Sequence, residues 1–208
     1  METASHEHLL APYNVSRESF AKLQVYVDLL LAWQSRINLI GPSTLDSIWT
    51  RHILDSVQLL PLLPGKTPII AELGSGAGFP GLVIALTGGL QAHLYESNGK
   101  KAAFLREAIR KTGAHAQVHN VRLETLAGAT NVPLVQCVLA RALAPLPLLL
   151  DYAEPFLRTG STGLFHKGQD VDLELTEATK YWRLTFSKHQ SVCDSRGVIL
   201  EVKEAIRV

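Results

Sequence analysis

The stretch Ala71-Glu72-Leu73-Gly74-Ser75-Gly76-Ala77-Gly78-Phe79-Pro80-Gly81 decides the fold. It follows a short apolar run and precedes an apolar helical pattern, so it predicts a strand, a glycine turn and a helix. Glycines permit positive φ and let a ligand approach the backbone, because no β-carbon intervenes. In an open α/β sheet, ligands bind beyond the carboxyl ends of the strands. The stretch therefore predicts a ligand loop; a tight turn without ligand is the alternative.

Glu96 ends the next predicted strand, where a carboxylate can accept hydrogen bonds from both hydroxyls of a ribose. The residues from Gly76 to Gly81 also spell GxGxxG, which leaves a dinucleotide open. An acid ahead of evenly spaced glycines, from Glu72 to Gly78, is instead typical of loops that bind S-adenosyl-L-methionine. The pattern favours S-adenosyl-L-methionine over a dinucleotide.

Residues 65–208 alternate short apolar runs with helical patterns, which predicts a mainly parallel sheet with helices on both faces. The last two strands are joined by a short turn and must pair antiparallel. The predicted strands are Ile69–Leu73, Ala92–Tyr95, Ala116–His119, Leu134–Ala140, Gly163–Phe165, Arg183–Val192 and Val198–Val202. The predicted helices between them are Phe79–Leu86, Gly99–Lys111, Leu146–Leu157 and Asp170–Tyr181. The fold class is α/β, a doubly wound, Rossmann-like seven-stranded sheet.

Residues 1–64 read as a helical extension of this domain. Ser16 is placed to cap a helix that runs to about Ser35, with apolar residues recurring at helical spacing. Gly41-Pro42 interrupts the chain, and Ser43 is predicted to cap a second helical stretch. Two regions are expected, the extension at 1–64 and a ligand-binding domain at 65–208, packed as one compact unit.

Composition sets the broad class. Hydrophobic residues make up 47% and charged residues 19%, which is typical of a globular protein, and the net charge is +1. A nucleic-acid partner would therefore have to bind local basic patches. Cys137 and Cys193 form no CxxC pair, and no signal peptide or membrane span is visible, so a cytoplasmic protein is expected. Neither a metal site nor an oligomer is expected.

The sequence resembles the GidB/RsmG family of bacterial small-subunit ribosomal RNA guanine-N7 methyltransferases. The motifs that carry the resemblance are Asn38-Leu39, Arg51-His52-Ile53-Leu54-Asp55-Ser56, Gly74 to Gly81, Glu96 to Lys101, Ala103 to Arg106, Arg141 to Leu146 and Lys167-Gly168. Three positions depart from the family pattern: Ile40 replaces Thr, Glu72 replaces the commoner Asp, and His166 replaces Leu. The last departure gives His166 little weight as a functional residue.

The resemblance implies S-adenosyl-L-methionine as cofactor and 16S ribosomal RNA or the small ribosomal subunit as partner. It implies that Gly74 contacts the cofactor through its backbone, that Phe79 lies beside its methionine or adenosine, and that Leu123 and Glu124 flank its adenine. Arg141 corresponds to an active-site arginine and is the best candidate to lie near the transferred methyl. From the sequence pattern, Arg141 could bind a carboxylate or phosphate, or could be a structural arginine bonded to backbone carbonyls.

The implied reaction needs little acid–base chemistry. Guanine N7 carries a lone pair and no proton, so in-line attack on a methyl group requires no general base. Basic residues near the crevice are the candidates for RNA contacts: Arg51, Lys100, Lys101, Arg106 and Lys167. Arg51 stands four residues before Asp55, and an ion pair between them is the alternative. Two other functions stay open: an NAD(P)-dependent oxidoreductase, and a catalytically silent module that binds RNA or assembling ribosomes.

Overall fold

A seven-stranded sheet forms the centre of the molecule. The computed structural model describes residues 2–66 and 68–208. The strands are β1 Ile70–Leu73, β2 Ala92–Tyr95, β3 Ala116–His119, β4 Cys137–Arg141, β5 Thr162–Lys167, β6 Trp182–Gln190 and β7 Val198–Arg207. Their order is β3-β2-β1-β4-β5-β7-β6. β1 to β5 run parallel, whereas β7 is antiparallel to β5 and β6. This confirms the predicted sheet, including the antiparallel pair at its end.

Helices cover both faces of the sheet. They are α1 Glu2–Leu10, α2 Arg17–Gln34, α3 Asp55–Val57, α4 Gly81–Gly88, α5 Gly99–Thr112, α6 Leu146–Leu157 and α7 Val171–Ala178. Alternate strand residues point to opposite faces, so the sheet separates two apolar cores. One core contains Leu23 of α2, Leu82 of α4 and Phe104 of α5. The other contains Leu150 of α6 and Leu175 of α7.

Helix α2 forms as the sequence predicted. The Ser16 side chain accepts a hydrogen bond from the Ser19 N–H at 3.1 Å, which satisfies one of the free donors at the start of the helix. The buried Tyr26 donates its hydroxyl hydrogen to the Ala77 carbonyl at 2.6 Å. The helical segment thus contacts the glycine loop directly, and the division at residue 64 stays a prediction.

The chain after α2 differs from the prediction. Residues Pro42–Ser47 form a 3₁₀ turn and Trp49–Leu54 a π-helical turn, which leads directly into α3. Ser43 lies inside the first turn and does not cap it; Gly41 occupies that position. Proline has a fixed φ suited to the first helical residue, so the turn starts at Pro42, two residues earlier than a cap at Ser43 would place it. Helix α4 begins at Gly81, with Pro80 in the N-cap position, instead of at Phe79.

Candidate active site

The glycine loop lies between β1 and α4 at the carboxyl edge of the sheet. Gly74, Gly76 and Gly78 have φ of 70°, 54° and 100°, values that other L-residues rarely adopt. A β-carbon on Gly74 would lie 2.6 Å from Leu143 Cδ1, so the loop is in close contact with the segment that follows β4. The order in which the strands follow one another reverses direction between β1 and β4, and ligands of such sheets bind at this point.

Glu72 supports the loop from inside the core. Its Oε1 accepts the Gly81 N–H at 2.9 Å, which ties the start of α4 to β1. Its Oε2 is buried and has no hydrogen-bond partner among the described residues. Burial raises the pKa of Glu72 to about 8, because a charged carboxylate is poorly solvated there. Glu72 therefore acts on the loop from below and does not face a ligand.

A cavity of about 280 Å³ opens beside the loop, and we call it the glycine-loop cavity. It brings together four of the residues predicted to bind the cofactor: Gly74, Glu96, Leu123 and Glu124. The other residues that line it are Gly76, Tyr95, Ser97, Lys101, Val121, Arg122, Leu143, Ala144, Leu148 and Tyr152. Its volume lies just below the usual range of about 300–1,000 Å³ for ligand pockets.

Glu96 holds the glycine loop and also lines the cavity. Its Oε2 accepts the Gly76 N–H and its Oε1 accepts the Asn98 N–H, both at 2.7 Å. A carboxylate oxygen has two acceptor lone pairs, so each oxygen keeps one for a further donor. The arrangement suits a ligand with two neighbouring hydroxyls.

Helix α6 supplies cavity residues that the sequence analysis missed. Tyr152 donates its hydroxyl hydrogen to Glu124 Oε1 at 3.2 Å and so joins α6 to the opposite wall. Leu148 lies one turn earlier on the same helix, and its side chain is exposed. The sequence signal for these two residues was their spacing, because residues four positions apart lie on the same face of a helix.

Phe79 does not contribute its ring to the cavity lining among the described residues. The ring is buried against the helical segment, stacked on His52 at 4.8 Å between centroids and edge-on to Tyr26 at 5.6 Å. Burial lowers the pKa of His52 to about 4, which keeps the stacked imidazole neutral. The resemblance identified the position of Phe79 in the loop but not the direction of its side chain.

Arg141 ends β4 and bonds to the helical segment. Its Nε lies 3.1 Å from Asp55 Oδ2, and its Nη2 donates to the Arg51 carbonyl at 2.9 Å. The next residue, Ala142, has a φ of 50°, and Leu143 then enters the glycine-loop cavity. Arg141 thus has the carbonyl bond of a structural arginine. Its guanidinium lines two neighbouring cavities instead of the glycine-loop cavity.

These two neighbouring cavities complete the carboxyl edge of the sheet. The first, about 390 Å³, is the arginine cavity, with Arg51, Asp55, Arg141, His166, Asp194 and Arg196 among its lining residues. The second, about 310 Å³, is the intermediate cavity, lined in part by residues 140–145 and 166–168. It shares Arg141 with the arginine cavity, and Leu143 and Ala144 with the glycine-loop cavity. The three cavities are therefore neighbours along the 141–144 segment.

The predicted RNA-binding residues fall into three groups. Lys100, Lys101 and Arg106 lie on α5; Lys101 lines the glycine-loop cavity, and the other two are exposed. Arg51 lines the arginine cavity, and its partner is Asp194 at 3.4 Å, because Asp55 is bound to Arg141 instead.

Lys167, which is predicted to contact RNA, is largely buried beside the arginine and intermediate cavities. Its side chain is only 7% exposed, and its Nζ lies 2.5 Å from Glu174 Oε2. The same ammonium donates to the Ala144 carbonyl at 3.1 Å. These bonds use the charge of Lys167 to hold the segment after β4.

His166 and Asp55 form a buried polar cluster that the sequence analysis did not identify as functional. His166 is the register partner of Arg141 across β4 and β5, and its Nε2 lies 2.9 Å from the Asp55 carbonyl oxygen. Gln58 donates to Asp55 Oδ1 at 2.7 Å. Burial lowers the pKa of His166, so the imidazole is held neutral. The replacement of the family's Leu by His166 was the sequence signal for this cluster.

None of the helices within 2–66 and 68–208 combines the length and apolar character needed to cross a membrane. The same residues contain no group of three or more His, Cys, Asp or Glu side chains arranged to hold a metal ion.

The sheet order, the reversed β7 and the glycine-loop cavity at the β1–β4 switch define the class: an α/β methyltransferase fold. The fold matches a ribosomal protein L11 methylase from Lactobacillus delbrueckii subsp. bulgaricus with a TM-score of 0.57 and 16% identity, covering 74% of this chain and 78% of that one. It also matches M. jannaschii TYW2 in complex with AdoMet, with a TM-score of 0.56 and 11% identity over 84% and 80%.

Sequence comparison identifies the family. The family model GidB, rRNA small subunit methyltransferase G, matches residues 19–201. A ribosomal RNA small subunit methyltransferase G from Rhodospirillum rubrum is 48% identical over 201 residues, covering 97% of this chain and 98% of that protein. The chain belongs to the GidB family.

Proposed function

We propose that the protein transfers a methyl group from S-adenosyl-L-methionine to N7 of a guanine in 16S ribosomal RNA, in the cytoplasm. Family membership supports the reaction class and the RNA substrate. The observation that supports the cofactor is the glycine-loop cavity, where Gly76 leaves the backbone open and Glu96 offers paired acceptors. Membership in a methyltransferase family argues against the oxidoreductase alternative.

The residues present fit this cofactor. Gly74 would contact it through the backbone, and Glu96 would accept hydrogen bonds from the ribose hydroxyls. Leu123 and Glu124 would flank the adenine, with Tyr152 holding the Glu124 carboxylate in place. The bound cofactor supplies an electrophilic methyl group on a sulfonium. We assign no cofactor contact to the Phe79 ring or to Arg141.

The protein would contribute to the reaction by positioning the guanine relative to the methyl group. Guanine N7 is a hydrogen-bond acceptor without a proton, so no side chain has to remove one. Holding the ring nitrogen in line with the methyl group supplies most of the rate enhancement. Leu143 and Ala144 separate the glycine-loop cavity from the intermediate cavity, which makes the 141–144 segment the place where cofactor and base would meet. A guanine in an unpaired loop is the accessible target.

A labelled-methyl transfer assay tests the proposal. Deproteinised small-subunit RNA, free 30S particles and assembled ribosomes are offered as substrates, and labelled 7-methylguanine is expected in at least one. Absence of transfer to all three, with intact cofactor binding, would favour the silent module. Calorimetric titration with NAD(P) in place of S-adenosyl-L-methionine tests the oxidoreductase.

Glu96→Gln tests the site itself. The substitution removes the charge and replaces one of the two acceptor oxygens by a donor N–H₂ group. Cofactor affinity should therefore weaken by about 1.5–3 kcal/mol. Titration calorimetry measures this, with the exposed Glu177→Gln as a control, since Glu177 pairs with Lys180 on α7 and the following turn. Equal affinities in the two variants would show that Glu96 does not bind the ribose.

A further inference from the structure

The arginine cavity is built from three distant parts of the chain. Arg51 comes from the π-helical turn, Arg141 from the end of β4, and Arg196 from the turn between β6 and β7. Asp55 and Asp194 bring two carboxylates into the same lining. Three guanidinium groups against two carboxylates leave an excess of positive charge in one cavity.

The exposed arginines of this cavity are loosely bound. Arg51 Nη1 lies 3.4 Å from Asp194 Oδ2, and Arg196 Nε lies 4.0 Å from Asp194 Oδ1. By contrast, Arg110 on α5 makes a two-pronged pair with Glu107 at 2.9 and 2.7 Å. Good hydrogen bonds to nitrogen donors fall between about 2.7 and 3.2 Å. One carboxylate therefore serves two guanidinium groups and saturates neither.

Two buried nitrogen atoms of the cluster also lack partners. Arg141 Nη1 and His166 Nδ1 have no hydrogen bond among the residues that the structure describes. An unpartnered buried donor is costly, and Arg141 Nη1 can only donate. His166 Nε2 donates to the Asp55 carbonyl, so Nδ1 of the neutral ring is an acceptor. The demand for acceptor oxygens therefore comes from the guanidinium groups, and a ligand with several acceptor oxygens would satisfy it.

We infer that the arginine cavity binds a phosphodiester group of the RNA strand whose guanine is methylated. The planar guanidinium matches two phosphate oxygens at once, and Arg51 and Arg196 are the groups free to turn toward it. The intermediate cavity adjoins it through Arg141 and Ala142, so the base of the same strand can extend toward the glycine-loop cavity. This inference rests on the proposed function.

Substitutions of Asp194 and of the arginines should change RNA affinity in opposite directions, which tests the inference. Asp194 competes with a phosphate for Arg51 and Arg196, so its removal should strengthen RNA binding while removal of either arginine weakens it. Asp194→Asn preserves the turn, because Asp194 Oδ1 accepts the Arg196 backbone N–H at 2.9 Å and an asparagine oxygen can do the same. General damage to the cavity would weaken binding in every variant.

The experiment measures binding of deproteinised small-subunit RNA and KM for that RNA across a range of salt concentrations. For Arg196→Gln we expect KM to rise about 5- to 30-fold, and the slope of log affinity against log salt to fall by about 0.7–1. For Asp194→Asn we expect KM to fall about threefold. The control is Arg183→Gln, an exposed arginine on β6 near the opposite end of the sheet, which should match wild type.

Three outcomes overturn the inference. The first is an Arg196→Gln variant indistinguishable from Arg183→Gln. The second is weakened RNA binding in Asp194→Asn. The third comes from titrating inorganic phosphate into the same variants: phosphate binding that is lost in Arg196→Gln, with the same KM for RNA in all variants, would make this a site for free phosphate.

Failure of the inference is distinguishable from failure of the proposed function. If wild type methylates RNA and the variants behave alike, the cavity assignment is wrong and the reaction stands. If wild type transfers no methyl group to any RNA substrate, the proposed function fails first.

Discussion

The glycine-loop cavity and the arginine cavity lie on either side of one segment, residues 141–144, but are built in opposite ways. The first takes most of its lining from the ends of β1, β2 and β3, which follow one another within about fifty residues. The second joins the π-helical turn, β4, β5 and the β6–β7 turn. A cavity formed by consecutive strands is visible in the sequence, whereas one formed by distant segments is not.

The two regions also treat a buried carboxyl group differently. Glu72 beneath the glycine loop has no cationic hydrogen-bond partner among the residues that the structure describes, and burial raises its pKa. Asp55 beside the arginine cavity is bound to Arg141 and Gln58. One region therefore holds a neutral acid at ordinary pH, and the other a buried ion pair. Changes to these two acids should have different consequences.

The largest expected effect comes from Gly74→Val, which tests whether the first cavity depends on a bare backbone. The valine would collide with Leu143, because its β-carbon would lie 2.6 Å from Leu143 Cδ1. We expect cofactor affinity to fall by up to about 100-fold, since overpacking a filled site costs up to about 3 kcal/mol. Titration calorimetry with S-adenosyl-L-methionine measures the loss.

Gly113→Val is the matched control for Gly74→Val. Gly113 has almost the same φ, 67° against 70°, but a β-carbon there meets none of the described atoms within 4 Å. Both variants therefore carry the same backbone strain, and only one should lose the cofactor. Unchanged affinity in Gly74→Val would show that the cofactor does not bind at this loop.

The same contrast explains how far sequence reasoning reached. The strand, loop and helix around Gly74 and the acid at Glu96 were predicted because each depends on neighbours in the chain. The partner of Lys167 is Glu174 on the following helix, and the partner of Arg51 is Asp194, both chosen by tertiary packing. A basic residue in the sequence therefore indicates charge, but its availability depends on acids that only the fold brings near.

Asp55→Ala tests whether the second region rests on a buried ion pair. The substitution leaves Arg141 without its carboxylate, and we expect the free energy of unfolding to fall by about 3 kcal/mol, the lower end of the range for a broken buried pair. The remaining bond from Arg141 to the Arg51 carbonyl moderates the loss. Urea denaturation gives the measurement.

The control for Asp55→Ala is Asp172→Ala, which breaks an exposed pair with Lys188. An exposed pair contributes about 0–1 kcal/mol. Equal losses in the two variants would mean that Asp55 and Arg141 act as a surface pair, and the contrast between the two cavities would disappear.

Glu72→Gln tests, through the pH dependence of stability, whether the first region holds a neutral buried acid. The folded-state pKa of about 8 lies above the unfolded value, so the carboxyl group stabilises the fold fully below about pH 4.5, and this contribution is lost as pH rises through 8. Glutamine stays neutral, so the variant should gain stability relative to wild type between pH 5 and pH 8. Denaturation at unit steps of pH follows the change.

Glu107→Gln provides the comparison for this titration. A hydrogen bond from Arg110 lowers the pKa of Glu107, so that carboxylate is ionised throughout the same range. Its stability curve should run parallel to wild type between pH 5 and pH 8. A parallel curve for Glu72→Gln as well would mean that water or a partner reaches the buried carboxyl.

The smallest effect tests whether the first region also faces RNA. Lys100 and Lys101 begin α5 beside the glycine-loop cavity, and replacing both with glutamine should lower the salt dependence of RNA binding by about one to two units of slope. Arg110 and Lys111, replaced together at the other end of the same helix, remove the same charge farther from the cavity. A larger change in the first pair would extend the RNA-binding surface from the arginine cavity across to α5, because a bound phosphate releases counterions only where it touches the protein. Equal slopes in the two double variants would confine specific phosphate contacts to the arginine cavity and leave α5 with a diffuse, long-range attraction.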